Sequence, residues 1–179
     1  MNPIEIPLSK TKLLLGIVVS IIFVVLSFFL FTTIAEQQTR FSPVFAKSIG
    51  IVSILLFSIT GVYGMRKLFD KRAGLIISDE GIIDNTSATS IGLIKWSEII
   101  LIKTEQVMST KFLLIHITNP DKILEKVSGA KRKLMAANMK MYGTPLLIAS
   151  TTLKYNFNDL KQLLIDKLLE YRKKSNTLL

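Results

Sequence analysis

From Leu13 to Ala35 the chain runs for 23 residues without a charged side chain, LLLGIVVSIIFVVLSFFLFTTIA. As a helix rising 1.5 Å per residue this run reaches about 34 Å, enough to cross the hydrocarbon core of a bilayer. A cleaved signal sequence is the competing reading, with Thr33 and Ala35 as small residues, but its apolar core would be about 7–15 residues. The length therefore favours a retained transmembrane helix. A second uncharged run, Ser48–Met65, follows after a short polar connection, and with Lys47 and Arg66 snorkelling at its ends it gives a span over about residues 46–65. A buried helix of a soluble core is the alternative for so apolar a segment. Gly50, Ser53, Ser58, Gly61 and Gly64 supply small side chains that permit close helix approach, without forming a GxxxG seam.

Charge placement sets the expected topology. Lys10 and Lys12 precede the first span, Arg66, Lys67, Lys71 and Arg72 follow the second, and the connection holds only Arg40 and Lys47 among basic residues. The positive-inside rule then puts both termini in the cytoplasm, with the six flanking residues as membrane-proximal anchors. Pro43 interrupts any helix before the second span. The expected division is a hairpin over residues 1–67 and a cytosolic domain over 68–179, long enough to bury its own core. The excess of 23 Lys and Arg over 13 Asp and Glu lies mostly in that second part, so the domain is basic and suited to an anionic leaflet.

Within the domain, short apolar runs separated by turns predict antiparallel strands. They lie at Gly74–Ser78, Ile82–Asp84, Ser90–Trp96, Ile99–Lys103 and Lys111–Thr118, with Asp79-Glu80-Gly81 turning the first hairpin. The absence of strand–helix alternation predicts an α+β domain built on an antiparallel sandwich or partial barrel. Asn119 and Pro120 open a helical segment, Asp121–Met141, that Ser128-Gly129 divides in two. Ile123, Val127, Leu134, Met135 and Met139 share one face, while Lys122, Lys126, Lys131, Arg132, Lys133 and Lys140 dominate the rest against Glu125. Gly143-Thr144-Pro145 ends it, Leu146–Ser150 reads as another strand, and Asn158 caps a last helix, Asp159–Lys173. Its stripe of Leu160, Leu163, Leu164, Lys167, Leu168 and Tyr171 closes a core.

The chain has no cysteine and one histidine, which removes disulfides, thiolate chemistry and multi-histidine metal sites. His116 alternates with Phe112 and Leu114 and reads as structural. Asp79, Glu80 and Asp84 fit turn chemistry better than a metal or acid–base site. Asn85-Thr86-Ser87 matches a glycosylation sequon but reads as a solvated loop on the cytosolic side. Trp96 packs a strand pair in preference to serving as a ligand platform, and the glycines form no phosphate loop. The expectation is accordingly no catalytic residue, no cofactor and no metal. The basic run lacks interleaved aromatics, which argues against nucleic acid. These five lysines and one arginine of the helical segment are the candidate lipid- or partner-binding residues.

Asp79-Glu80-Gly81-Ile82, the strand pair Gly92-Leu93-Ile94-Lys95-Trp96-Ser97-Glu98-Ile99 and Asn138–Pro145 together resemble bacterial two-span membrane proteins of uncharacterised function that carry a cytosolic pleckstrin-homology-like domain. The resemblance covers nearly the whole chain. It implies a helical membrane hairpin joined to a pleckstrin-homology-like fold with a C-terminal helix and a basic helical insert, in a multi-pass protein of the bacterial inner membrane. It names no activity, because such folds host lipid, peptide and protein binding. The expected function is non-enzymatic binding of anionic inner-leaflet lipids or of a membrane or toxin protein partner, with homo-oligomers as a further form. An immunity-type or membrane-complex accessory role carried by the hairpin is the alternative.

Overall fold

The computed structural model describes residues 3–37, 39–108 and 110–177. The chain divides into two compact units, one of Ser9–Lys71 and one of Met1–Leu8 with Arg72–Leu179.

The first unit is a helical hairpin. Ser9 accepts the Lys12 amide at 3.4 Å and starts α1 (Lys10–Phe29), which continues through a widened π turn, Leu30–Ile34, into α2 (Ala35–Gln37). Ser42 accepts the Phe45 amide at 3.3 Å and Pro43 takes the first position of α3 (Pro43–Leu68), where its missing N–H costs nothing. Both helices outrun the expected spans because their caps lie in the polar flanks. Among the described residues these are the two helices long and apolar enough to cross a membrane, with only 22% and 11% of their most apolar stretches buried.

Leu13, Ile17, Ser20 and Ser27 of α1 are buried, as are Ala46, Gly50 and Gly61 of α3. Leu13 and Ile17, like Ala46 and Gly50, stand four residues apart, and Ser20 and Ser27 seven, so each helix turns one stripe toward the other. Glycines set the approach. A Cβ on Gly50 would lie 3.1 Å from Phe31 Cβ and 3.2 Å from the Ser27 carbonyl oxygen, and one on Gly64 would lie 3.0 Å from Ile17. Phe23 stacks on Phe57 with ring centroids 4.5 Å apart. The buried hydroxyls of Ser20 and Ser27 donate to the carbonyls of Gly16 and Phe23, so the seam leaves neither donor unsatisfied. Side chains off the seam are bare, with Val25 61% and Ile59 69% exposed.

The second unit is α+β, with seven strands in two antiparallel sheets among the described residues. The first sheet has the order β1 (Ile4–Ile6), β2 (Leu75–Ile77), β3 (Gly81–Asp84), β4 (Gly92–Lys95). A 3-10 turn, Trp96–Glu98, leads into the second sheet of β5 (Ile99–Val107), β6 (Thr110–Ile117) and β7 (Leu146–Ala149). Between β6 and β7 lie α4 (Pro120–Glu125) and α5 (Gly129–Tyr142), and a short 3-10 turn, Ser150–Thr152, precedes the final helix α6 (Phe157–Thr177). Ile6, Leu75, Ile77, Ile82 and Ile94 bury from the first sheet, Leu113, Ile115 and Ile148 from the second, and Leu160, Leu164 and Leu168 from α6. The apolar faces of sheets and helix thus make one core.

Strand β1 lies outside the expected domain of residues 68–179. Ile4, Glu5 and Ile6 pair with Ile77, Ile76 and Leu75, Leu8 bridges Leu153, and the Lys154 amide donates to Pro7 at 2.9 Å. Three residues carry too little alternation to be read as a strand, yet Ile6 is only 1% exposed. The break at Ser128-Gly129 and the αL cap at Gly143 (φ 72°) follow expectation. Leu134 does not: it is 51% exposed, and Met135 alone of α5 is buried. Asn158 is not the cap either. The Asn156 carboxamide accepts the Asn158 amide at 2.8 Å, placing the cap one position before Phe157.

The glycine seam makes a quantitative claim about the hairpin. Gly50→Val should destabilise the full chain by about 1–3 kcal/mol, because Phe31 and a helix carbonyl must yield to the added side chain. Gly16→Ala, with nothing within 4 Å of the added methyl, should leave stability unchanged or raise it. Thermal unfolding in one detergent compares the two, and equal losses would show that the seam is not tightly packed.

Candidate functional site

The basic residues of the helical segment do not act as one surface. Lys122 on α4 and Lys126 at its C-cap stand four residues apart, so they share a side, and Lys131 lies half-buried in the first turn of α5. These three line a cleft of about 490 Å³ whose opposite wall is β4 and the turn after it, with Lys95 and Glu98. Ile91, Leu93, Ile117, Ile123 and Val127 supply its apolar surface, and Asn119 adds an amide. Arg132, Lys133 and Lys140 are exposed on α5 and do not line the cleft. The candidate set is therefore split in half.

The sequence reading missed Lys95 and Glu98. Strand alternation buries Ile94 and turns Lys95 outward, but only the strand order reveals that Lys95 meets α4. Lys126 closes α4 at its C-terminal cap, where orphan carbonyls favour a cation. Four ammonium groups against one carboxylate leave the cleft cationic, and its apolar lining lowers local screening.

One wall is held by a buried acid. Asp84 accepts the Thr86 amide at 2.8 Å and hydroxyl at 2.7 Å on one oxygen, and the Ser90 hydroxyl at 2.8 Å on the other. Lys131 then donates to the Ser90 carbonyl at 2.5 Å. Asp84 is thus a loop organiser that fixes the segment leading to Ile91. The sequon is not a solvated loop: Thr86 is buried, and the Asn85 amide donates to Gly74 at 2.8 Å.

Other singled-out residues have local roles. Trp96 is buried and donates its indole N–H to the Ser78 carbonyl at 2.9 Å, locking the turn between the sheets to the β2–β3 hairpin. His116 lies at half-burial, and its Nε2 is enclosed without a hydrogen-bond partner. Burial, then the nearby Lys103 ammonium, lower its pKa, so the ring is neutral at physiological pH. Among the described residues no three His, Asp or Glu side chains converge on a metal position. Of the flanking cations, Arg66 and Lys71 are exposed. Lys67 is only 8% exposed and pairs with Asp70 at 3.3 Å, which removes it from the surface anchors expected from sequence.

On α6, Glu170 bridges Lys167 and Lys174 at 2.9 Å each. Hydrogen bonds from both ammonium groups lower its pKa to about 2, and the same contact raises that of Lys174. A depressed carboxylate supports the fold above its ordinary pKa of 4.5, and that support fades as pH falls toward 2. Carboxyl-carbon NMR should therefore give Glu170 a midpoint near 2. A midpoint at 4.5 would mean that the bridge is absent in solution.

Compared with known proteins, the chain matches no family model, no curated protein and no solved structure.

Proposed function

We propose that this chain is a membrane-anchored, non-enzymatic binding module, in which a pleckstrin-homology-like domain captures anionic, phosphate-bearing lipid head groups in the cleft between β4 and α4. The observation that carries the reading is the convergence of Lys95, Lys122, Lys126 and Lys131 around an apolar lining. Ammonium groups offer point charges to a phosphate, while the lining suits the glycerol and first methylenes of a lipid. A soluble anion would gain nothing from the second feature.

Three further observations support the account. The hairpin helices leave most of their apolar surface bare, as lipid-facing helices do. The hairpin is inserted between β1 and β2, whose antiparallel pairing returns the chain to its starting point, so two crossings suit the connection and one would not. Antiparallel sheets of four and three strands followed by a C-terminal helix, with α4 and α5 inserted before the last strand, support the pleckstrin-homology-like reading. With Lys10, Lys12, Arg66, Lys71 and Arg72 beside the hairpin ends, the positive-inside rule favours the cytoplasmic side for the domain. Anchoring there raises the local concentration of head groups, so a modest intrinsic affinity suffices.

The test titrates the full chain, in non-ionic detergent, with water-soluble dihexanoyl phosphatidic acid and with dihexanoyl phosphatidylcholine. The anionic lipid should bind and the zwitterionic one should not. Replacing Lys95, Lys122, Lys126 and Lys131 with Gln should weaken binding roughly a hundred- to a thousandfold, at about 1 kcal/mol per lysine. Replacing Arg132, Lys133 and Lys140 should change it far less. Equal loss from both sets, or none from either, would remove the cleft from the account.

A further inference from the structure

Strand β5 is nine residues long and sits at the edge of its sheet, with β6 on one side. Exposed edges of this length normally carry a device that prevents pairing with another chain. Here the protection covers one end only. The Arg172 guanidinium, from α6, donates to the carbonyls of Ile99 and Ile100 at 3.3 and 2.5 Å, and the ladder register shifts between Ile99 and Leu101. At the other end the chain turns at Met108, whose φ of 53° closes the β5–β6 hairpin. What remains is the segment from Leu101 to Val107, centred on Thr104, and beyond Ile102 all of it is exposed.

Alternation sends every second backbone amide of β5 away from β6. Gln106 identifies the outward set, because its N–H is taken by the Glu105 side chain at 3.3 Å and not by the neighbouring strand. Ile102, Thr104 and Gln106 therefore present their backbone groups outward. The side chains of the intervening residues, Leu101, Lys103, Glu105 and Val107, share one face, where the two apolar ends are 40% and 42% exposed.

That face is complementary to itself. If a second copy is laid antiparallel along β5 with Thr104 on the two-fold axis, Lys103 stands opposite Glu105 of the second copy, and Leu101 stands opposite its Val107. The relation then repeats in reverse. Centring the pair one residue earlier would oppose Lys103 to Lys103, and one residue later Glu105 to Glu105, so charge selects a single register. In that register Thr104 meets its counterpart and Ile102 meets Gln106 in the hydrogen-bonding positions, and the Glu105 carboxylate leaves the Gln106 amide to face Lys103 of the second copy.

We propose that two copies of this chain associate through their β5 edges, antiparallel and centred on Thr104, joining two three-stranded sheets into one of six strands. The surface is separate from the lysine cleft, so the two readings stand or fall independently. A symmetric pair of this kind is closed and does not propagate into fibres. Its contact is small, and confinement of both copies to one membrane supplies the effective concentration that a short edge needs.

The experiment measures the mass of the full chain in detergent micelles by light scattering across a concentration series, with detergent subtracted. The native chain should form a dimer. Lys103→Glu and Glu105→Lys each oppose like charges twice at the axis and should each weaken the dimer by about tenfold or more. An equimolar mixture of the two variants restores both opposite-charge pairs and should recover the native dissociation constant. So should the double variant K103E/E105K, which also controls for folding. A native chain that stays monomeric throughout, single variants that dimerise like the native chain, or a mixture no tighter than its components would each overturn the proposal.

Discussion

The fold depends on a pairing between strands that lie far apart in the chain. Ile6 faces Leu75 across β1 and β2, and everything from Ser9 to Lys71 is a loop closed by that contact. Closing so long a loop is entropically costly if the loop is a coil, but a hairpin with its own tight seam returns the chain without leaving it free. The glycines of α3 and the buried serines of α1 therefore do more than pack two helices. They fix the return that lets a three-residue strand complete a four-stranded sheet.

The same sheet begins the cleft. β3 ends in Asp84, and the carboxylate's hydrogen bonds to Thr86 and Ser90 shape the loop that delivers Ile91, Leu93 and Lys95 to one wall. The other wall follows from Pro120 starting α4 directly after β6, so that Lys122 and Lys126 face back across the sheet end. Burying an acid to organise a cationic cleft is economical in charge, because Asp84 spends its oxygens on local donors and leaves Glu98 as the carboxylate lining the cleft. The positive potential is thus a product of topology, since its four lysines come from β4, α4 and α5.

How much of this is legible in the sequence follows from the length of each signal. The uncharged runs after Leu13 and Ser48 announce their helices, and Pro43, Pro120 and the Ser128-Gly129 break mark helix ends through local chemistry. Strands β2 to β7 appear as alternating or apolar runs, except that β5 continues past the expected Ile99–Lys103 through the polar Thr104-Glu105-Gln106 to Val107. β1 does not, because Ile-Glu-Ile has no pattern until β2 is placed beside it. The helical lysines of the cleft are visible as a basic segment, but the segregation of Lys122, Lys126 and Lys131 from Arg132, Lys133 and Lys140 requires knowing which flank of the insert meets β4. Lys67 reads as one more flanking cation, and only the structure shows its ion pair with Asp70. Local signals thus give the elements, and contacts between distant segments give the site.

The most direct measurement is hydrogen–deuterium exchange of the full chain in nanodiscs of zwitterionic lipid and of anionic lipid. The account predicts slower exchange in anionic lipid at Gly92–Lys95 and across Pro120–Glu125, the segments that bring Lys95 and Lys122 to the cleft. The far end of α5 around Lys140 and the β5 edge should be unchanged. Identical exchange in the two lipids, or protection confined to Arg132–Lys140, would contradict the reading of this cleft as a head-group site.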